Sequence, residues 1–119
     1  MIDDSKPLFI AVAEQLENGI LDGTYAEGEA VPSTNELAAF LRINPATAGK
    51  GLNRLVDAGI LTKRRGIGMF VTPGALDVLR RRRRDAFRVH YIEPLLREAA
   101  QLEIHPDELA RMITEESTS

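Results

Sequence analysis

The stretch INPATAGKGLNRL, residues 43–55, combines a clear helix start with an unusual helix interior. Asn44 is a favoured N-cap residue, and Pro45 suits the first helical position. Gly49 and Gly51 then cost the helix about 1.5–2 kcal/mol relative to alanine. The polar residues near one face of this helix are Thr47, Lys50, Asn53 and Arg54. Two glycines in a short polar helix suggest that its backbone lies very close to another part of the protein or to a bound partner.

Two further helices are predicted upstream. Residues 7–23 carry apolar side chains at helical spacing, namely Leu8, Val12, Ala13, Leu16, Ile20 and Leu21. Residues 24–32 are predicted to form a loop. Ser33 and Glu36 then have the spacing of a capping box, in which each side chain satisfies a free backbone N–H of the other residue. The apolar face of this second helix is predicted to consist of Leu37, Phe40 and Leu41.

The second helix and the one that starts at Asn44 are separated by about three residues, which is typical of a helix-turn-helix. The inward side chains of the later helix are Leu52, Leu55 and Val56, and Gly59 ends it. Residues 60–65 and 69–72 are strand-like runs around Gly66 and Gly68, which predict a β-hairpin. The fold class is therefore mainly α with a small β-hairpin, a winged helix-turn-helix. We expect it to span residues 1–73 and to be followed by a short two-helix dimerisation tail, residues 74–119.

Charge is distributed unevenly along the chain, although the net charge is only −3. Residues 1–41 carry eight acidic residues and one lysine, a net of −7, whereas residues 42–74 carry six basic residues and one aspartate, a net of +5. A basic segment concentrated on one helix and one hairpin is typical of a surface that faces DNA. The alternative is chance clustering in a chain of mixed charge, and charge alone does not separate the two.

Several classes of protein are disfavoured by composition and motifs. The chain has no cysteine for a disulfide or a thiolate metal site. The start MIDDSKPLF is acidic and unlike a signal peptide, and no apolar run approaches the roughly 18 residues of a membrane span. His90 and His105 are far apart, and Gly66-x-Gly68 lacks the third glycine of a phosphate loop. We expect a cytoplasmic protein without membrane contact, catalytic residues, metal or cofactor.

Residues 7–71 resemble the DNA-binding domain of the GntR family of bacterial repressors. The matching segments, in order, are PLF, AEQLENGILDGTYAEGEAVPS, ELA, NPATAGKGLNRL, LVDAGIL and RRGIGMFV. The short tail and the INPAT helix start are similar to the YtrA-like subgroup. The resemblance implies a homodimeric transcriptional regulator, a repressor, that binds a two-fold operator in double-stranded DNA. It implies that the helix over residues 44–57 enters the major groove and that the hairpin touches the minor groove or the backbone.

Matching family positions imply which residues contact DNA. They are Ser33, Thr34, Asn35, Asn44, Ala46, Thr47, Gly49, Lys50, Arg54, Arg64, Arg65, Gly66 and Gly68. The chain also departs from the family pattern. Arg42 stands where the family usually has glycine, which risks a left-handed conformation that costs about 1 kcal/mol or more. Ile67 stands at the wing tip where many members carry a basic residue.

The resemblance also suggests uses for the two glycines. Gly51 precedes the inward-facing Leu52, so we expect it to allow close packing against the second helix. Gly49 lies nearer the polar face. Either its missing side chain lets the backbone approach the groove and leaves Lys50 room to reach a phosphate, or the glycine is a tolerated surface residue.

The tail continues the apolar pattern at helical spacing, with a kink or break expected at Pro94 and a second helix from Pro106. We assign to a dimer interface the side chains of Leu76, Leu79, Phe87, Tyr91, Leu95 and Leu102. Two helices cannot bury this stripe alone, which favours pairing with a second subunit. The alternative is packing of the stripe onto the chain's own first helix.

Three questions stay open at the level of sequence. The five arginines of residues 80–84 cannot share one helical face, so they form a solvated surface or contribute two or three phosphate contacts. A helical dimeric protein-interaction module without DNA binding is the second candidate function. A small-molecule effector of unknown identity could bind in a cleft between subunits, since the tail is small for a deep pocket.

Overall fold

The computed structural model describes residues 6–118, so Asp3, Asp4 and the rest of the acidic start lie outside the described part. The chain divides into a winged unit, which ends at Arg80, and a tail unit, which begins at Arg81. The winged unit contains the helices α1 Leu8–Leu21, α2 Thr34–Leu41 and α3 Pro45–Asp57 and the strands β1 Leu61–Arg64 and β2 Gly68–Val71. The remaining elements are α4 Ala75–Phe87, a π-helical turn Arg88–Ile92, α5 Glu93–Gln101 and α6 Pro106–Thr118. The predicted fold class is confirmed.

The core of the winged unit lies where α1, α2 and the hairpin meet α3. Its largest fully buried side chains are Val12, Leu52, Leu55, Ile60, Leu61, Val71 and Leu79. The first turns of α4 therefore belong to this core, because Ala75 and Leu79 are both buried in it. The domain boundary between residues 73 and 74 stays a prediction, because the packed core of the winged unit continues into α4.

Local signals set the ends of α2 and α3 as the sequence predicted. Ser33 and Glu36 make both bonds of a capping box. Gly59 has φ 79°, and the Ile60 N–H donates to Leu55 O at 2.9 Å, which closes α3 with a glycine in the left-handed region. Arg42, at the end of α2, also lies in the left-handed region, with φ 57°. The sequence predicted this conformation because Arg42 stands where the family usually has glycine.

Residues 24–32 form the predicted loop, and one end of this loop also pairs with the hairpin. Ala30 forms an antiparallel bridge with Phe70, and the Val31 N–H donates to Met69 O at 3.0 Å. The Val71 N–H donates in turn to Glu29 O at 2.9 Å. The hairpin thus gains a third, very short edge. The sequence signal is weak because Gly28 and Pro32 confine the extended segment to a few residues.

Phe40 was predicted to lie on the apolar face of α2 that packs into the core, and this prediction is wrong. Its side chain is 81% exposed, and the buried residues of α2 are Leu37 and Ala38. Leu41 packs partly against the core. Ala38 and Phe40 flank the Leu37 and Leu41 stripe on opposite sides of α2, so the rotation of the helix about its axis decides which of the two enters the core. Spacing alone does not determine that rotation.

The two glycines of α3 have different surroundings from those predicted. A Cβ atom on Gly51 would lie 2.8 Å from Val12 Cγ1 and 2.9 Å from Phe9 O, so Gly51 packs closely against α1 and not against α2. A Cβ atom on Gly49 would face α2 instead, 3.4 Å from the Thr34 Cγ2 methyl. Close packing was predicted correctly for Gly51, but its partner helix was wrong.

The tail unit has a small interior. Its buried residues are Ala99 and Leu109, and α5 contacts α6. The expected irregularity before Pro94 is confirmed as the π-helical turn, in which the Glu93 N–H donates to Arg88 O five residues back. Within residues 6–118, no helix combines the length and the apolar character needed to cross a membrane.

The glycine pair gives a matched test of packing against helix propensity. Gly51→Ala should lower the free energy of unfolding, because overpacking against the α1 backbone costs about 1–3 kcal/mol and exceeds the propensity gain of about 0.5–1 kcal/mol. Gly49→Ala in the same helix should raise stability by about that gain. Urea unfolding of both variants measures the difference, and an equal shift of the same sign in both would contradict the packing of Gly51 on α1.

Candidate nucleic-acid interface

The outer face of α3 presents most of the polar residues that the sequence predicted. The buried residues of α3 are Ala48, Gly51, Leu52 and Leu55, which turn one side of the helix into the core. The exposed positions include Asn44, Ala46, Lys50, Asn53 and Arg54, while Thr47 and Gly49 are half-buried. The helix therefore offers solvent a surface of small and polar residues with two cations, which suits a phosphate backbone and base edges.

The start of α2 lies against this face. The approach of Gly49 to the Thr34 methyl places Thr34 directly beside α3, with Ser33 and Asn35 on either side of it in sequence. Two groups of predicted contacts from different helices are thereby brought together. A helix-turn-helix needs this arrangement, since the first helix crosses the DNA backbone while the second enters the groove.

The caps of α2 and α3 use side-chain oxygens as acceptors. Ser33 Oγ accepts a hydrogen bond from the Glu36 N–H at 3.1 Å, and Asn44 Oδ1 accepts one from the Ala46 N–H at 2.8 Å. The Ser33 hydroxyl proton is directed to the Glu36 carboxylate, whereas the Asn44 side chain keeps its amide N–H donors. Phosphate oxygens are acceptors. Asn44 can therefore cap its helix and bind phosphate at the same time.

Glu36 brings a carboxylate close to this surface. The Ser33 N–H donates to Glu36 Oε1 at 2.9 Å, and this bond, followed by that of the Ser33 hydroxyl, lowers the pKa of the Glu36 carboxyl. The carboxylate is ionised at neutral pH and held at the N-terminus of α2, where negative charge is favourable. Because the folded-state pKa is depressed, its stabilising effect is present near neutral pH and is lost as pH falls through that pKa.

Two aromatic rings orient the basic side chains. Lys50 Nζ lies 4.5 Å from the centre of the Phe9 ring, and Arg64 Cζ lies 4.7 Å from that of Phe70. Such cation–π contacts restrict a long side chain while its charge stays in water. Sequence reasoning missed both rings. The hairpin register could have revealed Phe70, because Arg64 is paired with Gly68, two residues before Phe70 and on the same face.

The wing turns at its two glycines. Gly66 has φ 77° and Gly68 has φ 145°, values that side chains with a Cβ rarely adopt. The Ile67 N–H donates to Arg64 O at 2.9 Å across the turn. Arg64, Arg65 and Ile67 are all exposed at this end of the hairpin. The predicted wing contacts thus share one solvent-facing tip.

The predicted interface residues of the tail separate into two groups. Leu79 is only 1% exposed within the winged core, and Leu76 packs partly against that core, so these two side chains are used for packing within the chain. The other four residues, Phe87, Tyr91, Leu95 and Leu102, have exposed fractions of 40–64%. Phe87 and Tyr91 form a tilted ring pair with centres 5.6 Å apart. A dimer interface in the tail therefore depends on these four.

The described residues also include an exposed run of arginines and an apolar cleft. Residues 80–84 are all exposed. Residues 6–118 contain no cluster of three or more His, Cys, Asp or Glu side chains that could hold a metal ion. A cleft of about 350 Å³ lies between α1, α2 and the loop that joins them. Its walls are mostly apolar, with Tyr25 and Phe40 among the lining residues.

Comparison with known protein families agrees with this geometry. A family model described as bacterial regulatory proteins, gntR family, matches residues 10–71. The HTH-type transcriptional repressor YtrA of Bacillus subtilis is 31% identical over 75 residues, which are 63% of this chain and 58% of YtrA. The chain thus spans little more than half the length of this relative.

Solved structures extend the similarity beyond the winged unit. A GntR-family protein from Bacteroides thetaiotaomicron is 26% identical, with a TM-score of 0.74 over 94% of this chain and 97% of that one. The DNA-binding domain of AraR, solved in complex with operator ORX1, is 28% identical, with a TM-score of 0.54 over 56% of this chain and 81% of that one.

The wing arginines provide a test of phosphate contact. The double substitution Arg64→Ala and Arg65→Ala should weaken binding to all duplexes about equally. It should also flatten the slope of log Kd against log salt by about one to two units, because each lost phosphate contact removes about 0.9 unit. Fluorescence anisotropy at several salt concentrations measures the slope.

The matched control removes two exposed arginines from the tail unit, Arg97→Ala with Arg111→Ala, and should keep the wild-type slope. If the wing variant lost only sequence-specific binding with an unchanged slope, the two arginines would read bases instead of phosphates.

Proposed function

The chain belongs to the GntR family of bacterial regulatory proteins, which are DNA-binding transcriptional regulators and not enzymes, and we propose that it is a homodimeric repressor of a two-fold operator. The observation that carries the proposal is the exposed polar face of α3, with the start of α2 and the basic wing tip beside it. The repressor role rests on similarity to YtrA, which is named as a repressor. A regulator of bacterial genes of this kind works in the cytoplasm.

We propose that α3 enters the major groove and that the wing lies along the neighbouring minor groove or backbone. The contacts are those of the matching family positions, namely Ser33, Thr34, Asn35, Asn44, Ala46, Thr47, Gly49, Lys50, Arg54, Arg64, Arg65, Gly66 and Gly68. Asn35 and Thr47 bond bases or phosphates, whereas Lys50 and Arg64 bond phosphates. The DNA-binding domain of AraR, a similar domain, was solved in complex with operator ORX1, which supports operator binding by a domain of this kind.

We propose that the tail unit, together with the outer part of α4, pairs two subunits. The tail unit buries few of its own apolar residues, and its exposed large hydrophobic side chains are Phe87, Val89, Tyr91, Leu95, Leu96, Leu102, Met112 and Ile113. Such a concentration of exposed apolar side chains is typical of a protein–protein interface. Two-fold pairing would bury the same patch on both chains and would present two α3 helices to one operator.

In vitro selection of bound DNA from random duplexes tests the function directly. The expected product is an inverted repeat with two half-sites, bound with an affinity that falls steeply as salt rises. Failure to enrich any sequence, together with binding that does not depend on salt, would contradict DNA binding and would leave the protein-interaction module as the function.

The dimer is tested best by point substitution. Truncation after Pro73 would remove Ala75 and Leu79 from the winged core, so it would confuse loss of folding with loss of pairing. The double substitution Tyr91→Glu and Leu95→Glu should instead give a folded monomer that binds the selected operator at least about tenfold more weakly, because the two half-sites are no longer bound together. Analytical ultracentrifugation and anisotropy measure the two effects.

Phe40→Glu is the matched control, since it places the same charge on an exposed hydrophobic residue of the winged unit. It should leave the dimer intact. A wild-type chain that sedimented as a monomer at micromolar concentration would refute pairing through the tail.

A further inference from the structure

The tip of the wing carries an apolar side chain in a basic setting. Ile67 is 73% exposed and lies between Gly66 and Gly68. Neither glycine has an atom within 4 Å of the place where a Cβ would stand, so both serve the turn and not packing. The Ile67 side chain therefore has no neighbouring side chain in sequence to cover it, while Arg64 and Arg65 supply positive charge three and two positions before it.

A single exposed isoleucine needs no special explanation on most protein surfaces. Ile67 is notable for its position, because it lies at the same tip of the wing as the proposed phosphate-binding arginines. Arg64 is held over Phe70, which directs the charge along the hairpin arm instead of around the tip. The part of the wing best placed to touch the floor or walls of a groove is thus apolar and β-branched, with few rotamers to lose on binding.

We propose that Ile67 is a specificity-determining residue that selects A·T pairs in the minor groove beside each half-site. This inference rests on the proposed function. The minor-groove edge of A·T shows acceptors alone, whereas G·C adds the N2 amino group of guanine as a donor. An isoleucine gives that amino group no acceptor and removes water from it, which leaves a buried donor unsatisfied. The narrow groove of A·T-rich DNA also brings its sugar walls closer to a small apolar wedge.

A basic residue at the same position would act differently. A lysine would gain affinity from phosphates or groove acceptors on any duplex, and its contribution would depend on salt. Isoleucine contributes no charge, so its contribution should appear as discrimination between base pairs and not as a change in salt slope. These two signatures separate the roles of Ile67 and of the arginines beside it.

The test uses the full-length protein and the duplex obtained by selection, with the pairs beneath the wing exchanged in four matched versions. These contain A·T, G·C, inosine·C and 2,6-diaminopurine·T. Inosine·C lacks the N2 amino group, and diaminopurine·T adds one to an A·T-like major groove. We expect A·T and inosine·C to bind alike, and G·C and diaminopurine·T to bind at least about fivefold more weakly. A fifth duplex, with uracil in place of thymine, should bind like A·T because the minor groove is unchanged.

Variants connect the preference to the side chain. Ile67→Ala should reduce the discrimination to less than about twofold and keep the recognition of the half-site itself. Ile67→Lys should strengthen binding to every duplex and steepen the salt slope by about one unit. Phe40→Ala, which trims an exposed hydrophobic side chain of α2 outside the proposed DNA contacts and the proposed dimer patch, is the control and should change neither quantity.

Several results would overturn the inference. If inosine·C bound like G·C, or if uracil weakened binding, the wing would read the major groove. If wild-type protein bound all five duplexes equally, or Ile67→Ala kept the preference, Ile67 would not determine specificity. Each of these outcomes is seen only with a protein that binds the selected duplex, so they are distinct from failure of the proposed function, in which no duplex is bound at all.

Discussion

The close contact between α1 and α3 at Gly51 is the constraint on which the winged unit depends. With a Cβ position only 2.8 Å from Val12 Cγ1 and 2.9 Å from a backbone oxygen of α1, the two helices leave no room for even a methyl group. This contact fixes the rotation of α3 about its own axis. Leu52 and Leu55 consequently enter the core, and Arg54 faces solvent. The same contact brings Lys50 over the Phe9 ring of α1, so packing inside the protein also positions a cation on its surface.

Side-chain caps fix the ends of α2 and α3. Ser33 and Asn44 satisfy free backbone N–H groups with their side-chain oxygens, and the Asn44 amide keeps N–H donors for the phosphate contact that we propose. The left-handed residue between the two helices sets the angle at which they meet. That residue is Arg42, so the conformational cost of about 1 kcal/mol or more accompanies an extra exposed cation at the corner of the motif.

The two units of the chain differ in how they satisfy the hydrophobic effect. The winged unit buries a continuous core that includes residues from its three helices, both strands and the first turns of α4. The tail unit buries Ala99 and Leu109 and leaves most of its large apolar side chains in water. Burial of apolar area is the main favourable contribution to folding and to most association. This small interior is the physical basis of the pairing with a second copy that we propose for the tail unit.

Local signals were sufficient for much of the fold and for the location of the candidate site. The capping box at Ser33, the Asn44-Pro45 helix start and the two wing glycines each act through neighbouring residues, so their spacing in the chain determines the outcome. The family resemblance then indicated which residues we propose to contact DNA. Sequence could not place Phe40 outside the core, pair Ala30 with Phe70, or identify α1 as the partner of Gly51.

Those features depend on the rotation and separation of elements that are distant in the chain. Only packing in three dimensions, where a shift of one methyl group decides between contact and clash, determines them. For the same reason, the rings that hold Lys50 and Arg64 and the burial of Leu79 were decided by the tertiary structure.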